Sequence, residues 1–291
     1  MKNKNSSEQK SFNHDPHSIN HPCFNPSALS KWGRMHLPVA PDCNMQCNYC
    51  NRVYDCVNEG RPGVTSRILT PEEAYEKYLE VKEKVGNIAI AGFAGPGDPL
   101  ANFDEVRQTA NLIRQTDKKV GFCLSTNGLL LPQYAKEIIE AGFLYVTVTV
   151  NTLDTGIGAN IYEHINYKGE IYTDEIASEL LINNQLEGLS LLIAAGVTCK
   201  INTLFLKGIN DGQIENIADM ASKKGVYIMN INNLIPVEGS KFEKIKAVSA
   251  SEIEEAREIS GKYINQMRHC QQCRADSVGL LTQDRFKEFY S

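Results

Sequence analysis

Short apolar stretches with strand character alternate with amphipathic helical stretches six times along the chain, and this alternation narrows the possible folds more than any other feature. "RMHLPVA" (34–40) reads as the first strand. "TPEEAYEKYLEVKEKVG" (70–86) reads as the first helix: Thr70 and Glu73 form a capping box, and Pro71 takes the first helical position. Further strands are "NIAIAGFA" (87–94), "KKVGFCLST" (118–126), "LYVTVTVN" (144–151), "VTCKINTLFL" (197–206) and "VYIMNINNLIP" (226–236). Helical patterns follow them at 103–116, 132–142, 174–195, 211–224 and 250–268, with a longer connection after 151. Such alternation implies parallel strands joined by right-handed crossovers. The expected fold is α/β: a partial (β/α)6 barrel with its chemistry at the C-terminal strand ends and N- and C-terminal extensions over the mouth. Residues 1–16 are polar and aperiodic and read as a flexible tail; 17–291 read as a single domain, with a barrel core at about 34–268 and a C-terminal segment at 269–291.

The strand faces say what the barrel holds. Thr147, Thr149 and Asn151 share one face, opposite Val146, Val148 and Val150. Thr198, Lys200 and Asn202 oppose Cys199, Ile201 and Thr203, and Asn230 and Asn232 oppose Met229 and Ile231. Helices cover the apolar faces from outside, so the polar faces turn inward. Unpaired polar groups are costly to bury, so a polar interior implies a polar ligand.

A net charge of −5 advertises no basic surface for nucleic acid. The chain has no run of 18 apolar residues and its N-terminus no apolar signal region, so neither membrane insertion nor export is expected. The expected compartment is the cytoplasm, where thiols stay reduced. Nine cysteines there argue for metal or redox chemistry.

Four of the nine lie in "APDCNMQCNYCNRVYDC" (40–56), just past the first strand. Cys43, Cys47 and Cys50 form C-x3-C-x2-C. Three thiolates hold three irons of a [4Fe–4S] cube and leave the fourth open to chelate S-adenosylmethionine, whose reductive cleavage yields a 5′-deoxyadenosyl radical. A zinc site would ordinarily want a fourth ligand in paired C-x2-C form. The spacing, with Tyr49 before the last cysteine, resembles the radical S-adenosylmethionine superfamily. The resemblance implies that "AGPGDP" (94–99) meets the methionyl amino group through the carbonyls of Ala94, Gly95 and Gly97 and through Asp98, where a glutamate is common. "STNG" (125–128) offers Ser125 and Asn127 to the methionine or ribose, and Asn151 and Asn202 suit its carboxylate or hydroxyls or simply cap strand ends.

Six cysteines remain. Cys199 falls on the outward face and reads as core. "HPCF", "CNYCNRVYDCVNEGRPG", "AGPGDPLAN" and "CQQCRAD" resemble the NifB family of nitrogenase cofactor maturases, over about residues 17–277. The resemblance implies fusion of two [4Fe–4S] precursor cubes and insertion of a carbide carbon from S-adenosylmethionine, giving an eight-iron cofactor precursor. It implies that Cys56, Cys123 and a histidine, His17 in preference to His21, hold one precursor cube, and Cys23, Cys270 and Cys273 the other. Glu59 and Arg61 would manage protons or form a loop ion pair, and Arg274 would offset cluster charge. Expected partners are iron–sulfur donors, a ferredoxin or flavodoxin as electron donor, and cofactor scaffold proteins. The chain stops at Ser291, as in family members without the C-terminal NifX-like domain. Two other readings stay open. One is another radical enzyme with auxiliary clusters, such as the molybdopterin-forming cyclase. The other is a non-catalytic iron–sulfur carrier, which has no need of "AGPGDP" or a polar barrel interior.

Overall fold

The computed structural model describes residues 20–58, 62–65 and 67–290. The expected tail and the candidates His17, Glu59 and Arg61 lie outside the described residues.

In chain order the elements are β1 (Gly33–His36), β2 (Met45–Cys47), α1 (Pro71–Val85), β3 (Ile88–Phe93), α2 (Phe103–Thr116) and β4 (Gly121–Thr126). There follow α3 (Leu131–Glu140), β5 (Phe143–Thr149), α4 (Thr155–Ile161), β6 (Tyr162–Tyr167), β7 (Glu170–Tyr172) and α5 (Asp174–Ala194). The last are β8 (Thr198–Phe205), α6 (Ile214–Lys224), β9 (Ile228–Asn233), α7 (Ala250–Ser260), β10 (Val278–Leu280), β11 (Gln283–Asp284) and α8 (Phe286–Phe289). The main sheet has the order β11-β10-β1-β3-β4-β5-β8-β9. Its six consecutive strands from β1 to β9 are parallel, as the alternation requires. The capping box of α1 forms in both directions: the Glu73 N–H donates to the Thr70 hydroxyl at 3.2 Å, and the Thr70 N–H to the Glu73 carboxylate at 2.9 Å.

The outward strand faces and the helices bury one large apolar core that includes Val146, Val148, Ile201, Met229 and Cys199. The inward faces change character along the strands. Ile90, Tyr145 and Ile228 form a small apolar floor with Phe24 and Met267. Farther along, Ser125, Thr147 and Lys200 stand in register across β4, β5 and β8, and Asn202 pairs with Asn230 of β9.

Two element bounds are corrected, and two features appear that the sequence reading did not resolve. The first strand ends at His36, because Pro38 has no N–H to continue a ladder. The last long helix ends at Ser260 rather than 268: the chain turns at Gly261, and Met267 donates its N–H to the Met229 carbonyl at 2.8 Å, extending the sheet edge. The connection after 151 is not a plain loop. Asp154 caps α4 by accepting from the Ile157 N–H, and β6 pairs with β2 of the cysteine loop and β7 with β6 in a second, three-stranded sheet. Finally, β10 adds antiparallel to β1, pairing Arg34 with Gly279 and Met35 with Val278. That strand is too short for a period-2 pattern to announce it.

Candidate functional site

The cysteine loop and "AGPGDP" are zipped together backbone to backbone. Gly97 donates its N–H to the Ala40 carbonyl at 2.6 Å, and Asp98 to the Asp42 carbonyl at 2.7 Å. A side chain at Gly97 would put its Cβ 2.0 Å from the Asp42 carbonyl oxygen, so only glycine allows this approach. Gly95, at φ +144°, sits in a conformation that side-chain-bearing residues rarely adopt. Cys56 donates its N–H to the Pro96 carbonyl at 3.0 Å. Arg52 bridges the two loops, donating to the Pro41 carbonyl at 2.5 Å and the Pro96 carbonyl at 3.4 Å.

Around this junction Cys43, Cys47, Cys50 and Cys56 line one pocket with Gly97, Asp98 and Asn127. Burial pushes the Cys43 thiol up to about 12, and the Asp98 charge adds to it. Burial also raises Cys47 well above its ordinary value, helped by Cys50, while a hydrogen bond with Tyr49 opposes it. Burial raises Cys50 too, against the pull of the Arg52 guanidinium. These thiols therefore bind protons at neutral pH, and a cluster must displace them. Asp98 is buried, and it is consumed by the protein: its carboxylate accepts from the N–H groups of Leu100 (2.9 Å) and Asn127 (2.6 Å) and from the Thr126 hydroxyl (2.9 Å). It fastens "AGPGDP" to "STNG". Asn127 donates to Asn44 at 2.7 Å and lies 3.9 Å from the Cys43 sulfur.

Asn151 is a framework residue. Its amide donates to the Tyr49 hydroxyl at 3.0 Å and its oxygen accepts from the Leu204 N–H at 2.9 Å. Asn202 lines the barrel interior, where its amide donates to the Asn58 carbonyl at 3.3 Å and its oxygen accepts from Asn230 at 3.2 Å. That bond to Asn58, a residue of the loop pocket, makes the two cavities neighbours.

The interior cavity takes in about 650 Å³ of space between atoms, open solvent included. Cys23, Cys123, Cys270 and Cys273 line it, with Ala94 and Ser125. Four remote parts of the sequence meet here for identifiable reasons. The ring of His269 donates from Nε2 to the Pro22 carbonyl at 3.0 Å, tying the C-terminal segment to the Cys23 segment. His36 donates from Nδ1 to the Arg274 carbonyl at 2.8 Å, and β10 anchors the chain beyond. Cys123 follows from its inward parity on β4. Cys56 lines the loop pocket rather than this cavity, so the expected pairing of Cys56 with Cys123 spans both. Cys199 is buried in the outer core, as expected.

Two expectations about charge and histidine change. Arg274 is paired with Asp276 at 2.7 Å and its guanidinium lies 4.5 Å from the centre of the Phe286 ring, so it has little charge to spare. Arg34 stands nearer: its guanidinium donates to the Cys273 sulfur at 3.1 Å and to Asp284 at 3.0 Å. Arg34, Arg52 and Lys200 escaped the sequence reading, although the inward parity of Lys200 was visible. His21 is buried in this cavity. Its Nδ1 accepts from the Cys23 N–H at 3.1 Å, which leaves the proton on Nε2. Burial, and then the charge of Lys200, holds its pKa well below the usual imidazole range. In this arrangement the Nε2 of His21 is the donor.

The donor sets fit iron–sulfur clusters. Both cavities offer cysteine thiols, none in a disulfide, as soft ligands. Among the described residues, no three His, Cys, Asp or Glu side chains converge on a position for one metal ion.

The model of the Radical SAM superfamily matches residues 37–221. The chain belongs to the radical SAM superfamily. Radical SAM proteins of known structure share the architecture: Streptococcus suis SuiB, solved bound to S-adenosylmethionine, superimposes with a TM-score of 0.56 at 15% identity, over 80% of this chain and 51% of that one. The resemblance to NifB is borne out. The FeMo cofactor biosynthesis protein NifB of Klebsiella pneumoniae is 44% identical over 273 residues, 92% of this chain and 58% of the relative. That of Chlorobaculum tepidum is 42% identical over 263 residues, 90% of this chain and 62% of the relative. The chain thus spans a little over half the length of these curated relatives. Among the described residues, no helix is long and apolar enough to cross a membrane.

Proposed function

We propose that this radical SAM protein is a nitrogenase cofactor maturase of the NifB kind, which fuses two [4Fe–4S] cubes and installs a carbide taken from S-adenosylmethionine. One observation carries the reading: four cysteines from remote parts of the chain gather in a barrel interior that adjoins the loop pocket lined by Cys43, Cys47, Cys50 and Cys56. A carrier with one cluster has no use for the second set, and a radical enzyme with one cluster has none either. The similarity to NifB relatives supports the same conclusion.

In this reading Cys43, Cys47 and Cys50 hold the radical cluster, and Tyr49, fixed by Asn151, keeps the loop packed. When bound, that cluster supplies the electron that cleaves S-adenosylmethionine. The carbonyls of "AGPGDP" present acceptors to the methionyl ammonium, and Asp98 holds that loop and "STNG" in place. Cys23, Cys270 and Cys273 hold one precursor cube as substrate; Cys123 and Cys56, with His17, hold the other at the border of the two pockets. Glu59 and Arg61 are the proposed proton-handling pair. Cube donors, a ferredoxin or flavodoxin and a cofactor scaffold would be its cytoplasmic partners.

Anaerobic reconstitution followed by iron and 5′-deoxyadenosine measurement tests this. Roughly twelve irons per chain are expected, against four for a one-cluster carrier. Cys43→Ala, Cys47→Ala and Cys50→Ala should each abolish 5′-deoxyadenosine formation. Normal release by any of them would refute the radical role of the loop.

A further inference from the structure

Two cationic side chains line the interior cavity, Arg34 and Lys200, and among the described residues no aspartate or glutamate lines it. Arg34 is already neutralised. Asp284 pairs with it at 3.0 Å, and the carbonyls of Gly279 and Leu280 accept from it at 2.7 and 2.9 Å. Lys200 is not neutralised. It stands on the inward face of β8, beside Thr147 of β5, and is 7% exposed. Among the described residues its ammonium makes no hydrogen bond or ion pair, while its backbone belongs to the sheet. Its nearest notable neighbour is the Phe24 ring, whose centre lies 5.6 Å from the ammonium. A buried charge without a partner is costly and normally forces either pairing or neutralisation. A second group in the same cavity is also unsatisfied: the Nε2 of His21 is buried and, among the described residues, has no partner. With the Arg34 Nε, which also lacks a partner among the described residues, these make three unmatched donors in a cavity lined by four thiols, a site built for an anion.

An iron–sulfur cube held by thiolates is such an anion, and its sulfides accept hydrogen bonds that tune it. We propose that Lys200 is a positioning residue that offsets the negative charge of the iron–sulfur substrate held by Cys23, Cys270 and Cys273. The proposal rests on reading this cavity as the place where precursor cubes bind. Lys200 holds the substrate by charge and without an iron–sulfur bond of its own. That suits a cluster that must be retained firmly, then rebuilt and released.

The test uses the full chain, reconstituted anaerobically with iron and sulfide and desalted. Irons per chain are counted, and release to an iron chelator is followed in time. Lys200→Met removes the charge and keeps the stem; Lys200→Arg keeps the charge. Far-ultraviolet circular dichroism reports folding, and should Lys200→Met fail to fold, Lys200→Gln carries the same comparison. The parent and Lys200→Arg should hold iron beyond the four of the loop cluster and release it slowly. Lys200→Met should keep the four loop irons and release the rest roughly tenfold faster, a change equivalent to about 1.4 kcal/mol. Release from Lys200→Met at the parent rate would overturn the proposal and leave the maturase reading standing. So would a Lys200→Arg as leaky as Lys200→Met. A parent chain that holds only about four irons would overturn the maturase reading, and this proposal with it.

Discussion

Replacing Gly97 with alanine probes the joint on which the candidate site depends. The new Cβ would meet the Asp42 carbonyl oxygen at 2.0 Å, the Asp42 carbonyl carbon at 2.6 Å and the Pro41 carbonyl oxygen at 2.7 Å. All three are backbone atoms, so no side chain can swing aside. The loops must part, and the hydrogen bonds from Gly97 to Ala40 and from Asp98 to Asp42 go with them. Two such bonds contribute about 1 kcal/mol each, and residual overpacking costs about 1–3 kcal/mol. The sum is about 3–5 kcal/mol, which for a chain of this size lowers the melting temperature by about 6–10 °C. Because Arg52 and the Cys56 N–H both grip Pro96, the displacement reaches the three-cysteine loop as well. Gly97→Ala should therefore lose S-adenosylmethionine affinity by roughly a hundredfold, as expected when an ångström-scale misplacement spoils a positioned site. Anaerobic thermal denaturation and titration calorimetry with S-adenosylmethionine measure the two effects. A variant that melts within about 1 °C of the parent and binds S-adenosylmethionine equally well would refute the argument that this contact sets the site.

Cys199→Ala should keep its iron and activity and lose about 1 kcal/mol of stability, because it removes one buried sulfur from the outer core; loss of about four irons would overturn the strand-face assignment. Cys270→Ala combined with Cys273→Ala should lose one precursor cube and carbide formation while the loop cluster stays, which iron counts and paramagnetic resonance report; a zinc or disulfide role for the pair would instead leave cluster iron unchanged. Asp117 governs part of the acid limb of stability. Burial alone would raise its carboxyl, but the Lys82 ammonium, the Tyr78 hydroxyl and the Lys119 N–H outweigh that and hold it below the usual carboxylate range. Its contribution is then complete above about pH 4 and fades as pH falls toward the depressed value. Asp117→Asn should flatten stability against pH below about 4 in chemical denaturation, and an acid limb as steep as the parent's would count against it.

The sequence by itself determined the elements whose cause is local. Thr70, Pro71 and Glu73 start α1 through bonds within four residues, and alternation along β5 and β8 assigns Thr147, Lys200 and Cys199 to their faces, because strand geometry has a period of two. The cysteine spacing named the loop that would hold a cluster, because its ligands are neighbours in the chain. Only the tertiary structure decided the rest. That α7 stops at Ser260 follows from a bond between Met267 and Met229, far apart in sequence. That Asp98 and Asn151 serve the framework follows from partners on other strands, and the chain carries no mark of which acceptor a buried amide or carboxylate will meet. The presence of Arg34 against Cys273 depends on β10 docking antiparallel on β1. Cys23, Cys123, Cys270 and Cys273 share one cavity for the same reason: contacts between distant segments are set by the summed packing of the whole sheet, and no local pattern encodes them.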